Sequence, residues 1–120
     1  MTMAQMSDHF GGWDEVRIKV DQVAEESPDP FDAGTIANVR DLLAVCHNRY
    51  PVPTSVAKGY WSTFSFSWGG FETEVFEDRL EVYHFNDQRS EIWYEEHQPG
   101  ESFSPRFLAE FAALELPGGA

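Results

Sequence analysis

Tyr60-Trp61-Ser62-Thr63-Phe64-Ser65-Phe66-Ser67-Trp68-Gly69-Gly70-Phe71-Glu72-Thr73-Glu74-Val75-Phe76 is the stretch on which the fold turns. Successive strand residues point to opposite faces, so Phe64, Phe66 and Trp68 share one side of a strand expected over 60–68. Gly69-Gly70 suits a two-residue hairpin turn, whose positive φ angles glycine adopts at little cost. A tight turn sets Trp68 opposite Phe71, Phe66 opposite Thr73 and Phe64 opposite Val75, so the apolar faces of the strands 60–68 and 71–76 coincide. A second two-residue turn at Glu77-Asp78 pairs Val75 with Leu80 and Thr73 with Val82, and the faces coincide again.

The fourth strand, expected over 90–96 after a strand over 79–85, depends on the length of its loop. A two-residue turn after Phe85 opposes Val82 to Glu91 and drives a carboxylate into the core. A three-residue loop, Asn86-Asp87-Gln88, pairs Val82 with Ile92, Leu80 with Tyr94 and Arg79 with Glu95. The sequence reading takes the three-residue loop, because a slip of one residue inverts every side chain. The result is a four-stranded antiparallel meander with one apolar face.

Around this sheet the pattern is helical. Asp32 is a good N-cap for a helix running to about Arg49, with Ile36, Val39, Leu43, Cys46 and Tyr50 on its buried stripe and Leu42 widening it. Pro51 and Pro53 end it. Ser104-Pro105 opens a short helix that buries Phe107, Leu108, Phe111 and Leu114. Residues 13–26 read two ways, since Trp13, Val16, Val20 and Val23 fit a helix while Val16, Ile18 and Val20 also alternate; Asp14 and Glu15 tilt the reading towards helix. The fold class is α+β, a four-stranded antiparallel meander sheet with two amphipathic helices packed on one face. Residues 13–116 form the single domain, with flexible ends at 1–12 and 117–120.

With 120 residues, 42% of them hydrophobic, the chain can bury one real core, and no apolar run approaches the ~18 residues of a membrane span. The start of the chain lacks the basic and apolar regions of a secretory signal, and Cys46 is the sole cysteine. A reducing, cytoplasmic setting is therefore the expectation. The formal charge is −13, from 21 acidic and 8 basic residues. That field repels nucleic acid and anionic membranes, attracts basic proteins and also keeps an aromatic-rich surface soluble.

Residues able to do chemistry are scattered. His9, His47, His84 and His97 lack metal-ligand spacing, and His84 falls on the core face near its edge, where it reads as structural. Cys46 and His47 diverge by ~100° on a helix and cannot act as nucleophile and base. Gly11-Gly12 and Gly69-Gly70 lack the flanks of a phosphate-binding loop. The reading expects no catalytic residues, no metal and no cofactor.

The outer sheet face is the candidate interaction surface. Glu72, Glu74, Phe76, Glu81, Tyr83, Glu91, Trp93 and Glu95 are assigned to it, an acidic and aromatic mixture that a merely solvated face does not need. The alternative is that the N-terminal segment covers these aromatics. In size, charge and aromatic surface the chain is similar to toxin-neutralising immunity proteins and to phage-encoded inhibitors of nucleases or defence complexes. This similarity implies a non-enzymatic protein that binds and inhibits a basic partner, a nuclease, toxin or nucleic-acid-binding complex. Glutamates two apart on a strand stand ~7 Å from each other, close to the spacing of successive phosphates. The alternatives are a small enzyme or ligand-binding module with an aromatic pocket lined by Trp61, Trp68 or Trp93, and a structural subunit of a larger assembly. Oligomeric state is left open.

Overall fold

The computed structural model describes residues 10–85 and 90–114. Its elements are α1 (Trp13–Glu26), α2 (Ala33–Cys46), β1 (Ser55–Lys58), β2 (Phe64–Ser67), β3 (Phe71–Val75), β4 (Arg79–Phe85), β5 (Ser90–Glu96) and α3 (Pro105–Ala112). The strands form one antiparallel sheet in the order β1-β2-β3-β4-β5. The fold is α+β as expected, with five strands and three helices among the described residues rather than four and two. Among the described residues, no helix is long and apolar enough to cross a membrane.

The central meander follows the residue pattern. Trp68 N–H donates to the Phe71 carbonyl at 2.8 Å, and Gly69 takes φ 96°, so the turn at 69–70 is tight. Phe64 opposes Val75 and Phe66 opposes Thr73. Phe76 N–H donates to the Arg79 carbonyl at 2.8 Å, which sets Val75 against Leu80 and Thr73 against Val82. These inward side chains are all buried, with Val39, Leu42, Phe107 and Phe111 from the helices above them.

The expected strand over 60–68 is shorter, and a strand precedes it. Val56 of β1 pairs with Phe66, and Gly59 N–H donates to the Thr63 carbonyl at 2.8 Å, closing a loop over 59–63. Tyr60 and Trp61 therefore stand on this loop, 82% and 63% exposed. α1 is the third helix. It buries Trp13, Val16 and Val20 in the common core and leaves Ile18 exposed, so the 3.6-residue period prevails over alternation. Trp13 Nε1–H donates to the Tyr50 carbonyl at 2.9 Å, tying the start of α1 to the chain leaving α2. α1 thus belongs to the helical layer and does not cover the outer face. Phe10, inside the stretch expected to be flexible, packs against the core; residues 1–9 and 117–120 of the expected flexible ends lie outside the described residues.

α2 keeps its predicted cap, Asp32 accepting from Gly34 N–H at 2.7 Å, but ends at Cys46, where Asn48 turns into the left-handed region at φ 60°. Its most buried stripe is Thr35, Asn38, Val39, Leu42 and Cys46, while Ile36 and Leu43 are half-buried towards α1. Asn38 is fully buried, and its Nδ2 donates to the carbonyls of Phe76 at 3.0 Å and Glu77 at 3.1 Å. One side chain thus fastens α2 to the turn between β3 and β4.

The register of β5 differs from expectation by one residue. Phe85 opposes Ser90 across a four-residue connection, so Val82 faces Trp93, Leu80 faces Glu95 and Arg79 faces Glu96. The three-residue loop at 86–88 lies outside the described residues, but the flanking pairs exclude its register. Ile92, expected in the core, is 61% exposed, and Tyr94 is 64% exposed. The cause is α3. Its cap residue Ser104 donates from N–H and Oγ to the two carboxylate oxygens of Glu95, each at 2.6 Å. Glu110 accepts from Trp93 Nε1–H at 3.1 Å and pairs with His84 Nε2 at 2.7 Å. The Trp93 ring lies against Phe107, with the Arg106 guanidinium 3.9 Å from its centroid. The rim of the core therefore supplies the donors that a carboxylate requires when it leaves water.

Candidate interaction face of the sheet

The outer face is built in rows by cross-strand pairing. One row runs Ala57, Ser65, Glu74, Glu81, Tyr94, and its neighbour runs Ser55, Ser67, Glu72, Tyr83, Ile92. Of the eight residues expected on this face, Glu72, Glu74, Phe76, Glu81 and Tyr83 are brought together. Glu91, Trp93 and Glu95 are not: the register turns them to the helical side, where Trp93 and Glu95 are half-buried by α3. Ile92, Tyr94 and Glu96 take their places on the outer face and were missed. The signal that could have found them was the capacity of a β5 slipped by one residue to bury Trp93 instead of Ile92, given a helix with polar groups above it.

Glu74 and Glu81 stand directly opposite each other. Like charges in this position repel, and the side chains around them relieve it. Tyr83 Oη–H donates to Glu81 at 2.6 Å and lies 3.4 Å from Glu74. Arg79 Nε–H donates to Glu81 at 3.0 Å, and Thr63 Oγ1–H donates to Glu74. The loop over 59–63 closes on Glu74 so tightly that a Cβ on Gly59 would meet its carboxylate at 2.6 Å, and Glu74 is 9% exposed. Glu74 was expected at the solvent surface; the loop makes it a buried acceptor instead. Arg79 also pairs with Asp78 at 2.9 Å and lies 4.0 Å over the Phe76 ring.

Burial pushes the Glu72 carboxyl above the usual carboxylate range, and the charge of Glu74 adds to this. Burial likewise raises the Tyr83 phenol, reinforced by Glu81 and Glu74. On this face Glu72 and Tyr83 thus hold their protons more firmly than in water.

The remaining chemical groups are dispersed. His97 is buried, stacked on Phe103 at 4.1 Å and bonded to Asp41 at 2.9 Å, and Asp41 also accepts from Gly100 N–H at 2.8 Å. His47 lies at the surface, 3.8 Å from Asp14. Cys46 is buried, which pushes its thiol up to about 12. His9 lies outside the described residues. Among the described residues, no cluster of three or more His, Cys, Asp or Glu side chains has metal-binding geometry. The tryptophans offered as alternatives for an aromatic pocket stand in different places. Trp68 donates to the Pro51 carbonyl at 3.0 Å from the core side, Trp93 sits under α3, and Trp61 lines a shallow depression of about 490 Å³ beside Glu77 and Arg79. A larger groove of about 780 Å³ runs between α1 and α2, floored by Val20 and Val39 and edged by Arg17 and Arg40.

Set against protein-family models, curated proteins and solved structures, the chain matches none of them.

Proposed function

We propose that this chain is a small acidic protein, without catalysis of its own, that binds a basic protein through its outer sheet face and blocks that protein's cationic surface. The partner class is a nuclease, a toxin or another nucleic-acid-binding protein, and the mode of action is that of an immunity protein or a phage-encoded anti-defence inhibitor. The observation that carries this reading is the pairing of exposed anchors with charge. Ile92 and Tyr94 project into solvent beside Glu72, Glu81 and Glu96, on a face that no helix among the described residues covers. Large apolar side chains ringed by like charges suit a partner that buries the former and neutralises the latter. The net charge of −13 steers such a partner over distance. With Glu74 closed off, the likeness to a nucleic-acid backbone rests on Glu72, Glu81 and Glu96, and occlusion rather than close mimicry carries the inhibition.

The test is a titration against purified basic nucleases in the presence and absence of DNA. Competition with DNA is expected, with affinity falling steeply as salt rises. Changing Glu81 and Glu96 together to Gln should slow association, and Tyr94→Ala should speed dissociation. Binding that ignores both variants would place the interface elsewhere.

A further inference from the structure

The two edges of the sheet are built differently. β1 is four residues long, follows Pro51 and Pro53, carries Lys58 and packs against α1. Those are the usual devices that stop an edge strand from pairing with another chain. β5 shares only part of this protection, since α3 packs on its inner face and Glu95 points inward. It runs seven residues with neither Pro nor Lys, and its pairing continues without a bulge from Phe85↔Ser90 to Arg79↔Glu96.

The hydrogen-bond phase shows which groups face the open side. His97 N–H donates to the Asp78 carbonyl at 3.0 Å, and antiparallel ladders alternate. Glu95, Trp93 and Glu91 therefore direct their main-chain groups at β4, while Ile92, Tyr94 and Glu96 direct theirs outward. The exposed apolar side chains of β5, Ile92 and Tyr94, thus belong to residues whose main-chain donors also point outward. No described residue takes up those donors.

Charge selects the occupant. In a fully overlapped antiparallel pairing with a second copy, centred on Trp93, Glu91 of each copy would face Glu95 of the other. Directly opposed like charges destabilise a sheet, and each chain carries −13 in addition. A strand bearing lysine or arginine turns the same contacts favourable. We propose that the β5 edge receives an extended basic segment of the partner protein as a sixth strand, its alternate side chains packing beside Ile92 and Tyr94. This rests on the reading of the chain as a binder of basic proteins and specifies how the partner is held.

Two probe peptides of about nine residues, the length of an ordinary strand, separate the possibilities. One alternates lysine with valine; the other alternates lysine with proline, matching the charge but lacking half the main-chain donors. The first should bind, and hydrogen exchange should show new protection at the Ile92, Tyr94 and Glu96 amides. Tyr94→Pro removes an outward N–H without touching the β4 ladder, which an edge strand tolerates. It should weaken binding about tenfold or more, whereas Tyr94→Thr, which keeps the N–H, should cost clearly less. Exchange on the unaltered protein decides the matter even if the proline variant fails to fold. Equal binding of both peptides with no amide protection would overturn strand addition and leave the acidic-face reading standing. Binding of neither peptide at low salt would overturn both.

Discussion

Replacing Glu95 by Ala tests the register of β5, on which the composition of the outer face depends. In the structure, Glu95 accepts two hydrogen bonds at 2.6 Å from Ser104, whose own Oγ caps α3 by accepting from Phe107 N–H at 3.1 Å. Hydrogen bonds to a charged acceptor contribute about 1.5–3 kcal/mol each, and the loss of a helix cap costs about 0.5–2 kcal/mol. The contributions overlap, because Glu95 is half-buried and water reaches Ser104 once the carboxylate is gone. The expected loss is therefore about 2–3 kcal/mol, or a fall in Tm of roughly 8–12 °C for a chain of this size. Urea unfolding should show a lower midpoint at unchanged slope, since the native surface barely changes. Tyr94→Ala, one residue away and facing solvent, should change stability by no more than about 0.5 kcal/mol. Had β5 been slipped by one residue, the two outcomes would be exchanged. A costly Tyr94→Ala beside a silent Glu95→Ala would refute the register, and with it both proposals.

Phe111 is fully buried and makes ring contacts with Tyr50, Trp68, Phe71 and Phe107 at centroid distances of 5.1–5.5 Å, so Phe111→Ala should cost about 3–5 kcal/mol by urea unfolding. A loss below about 1 kcal/mol would deny α3 its place over the sheet. Glu72 is more basic in the folded protein than when unfolded, so the native state binds more protons through that window and stability falls as pH rises across it. Glu72→Gln should therefore stabilise the fold at neutral pH, with the gain shrinking as pH falls through the raised folded value and gone below the ordinary carboxylate value; a loss at neutral pH would mean the Glu72 charge is itself held by the fold.

Much of the architecture is already implied by local pattern. Gly69-Gly70 closes a two-residue turn, and from there the alternation of Phe64 and Phe66 against Thr73 and Val75 permits one register. Asp32 and Ser104-Pro105 start helices by chemistry confined to a single turn, so neighbouring residues suffice to place them. The pairing of β3 with β4 follows from the same parity. In each case the information is short-range, and an error would send several apolar side chains into water at once.

Only the tertiary structure decided the side of β5. Sequence parity treats a carboxylate on the core face as prohibitive, and by that rule Glu91 and Glu95 belong outside. At the rim of this core the cost is offset by donors from a helix that begins at Ser104, and by the gain from burying Trp93 under Phe107. β1 was hidden for a related reason, since four residues without marked alternation become a strand only when Val56 finds Phe66. The closing of Glu74 beneath Thr63 and Gly59 depends likewise on a loop whose path no local rule dictates. A residue's own chemistry and its neighbours' spacing determine turns, caps and strand parity; which polar groups are offered to it across space is a property of the assembled fold, and in this protein that choice decided which side chains form the outer face.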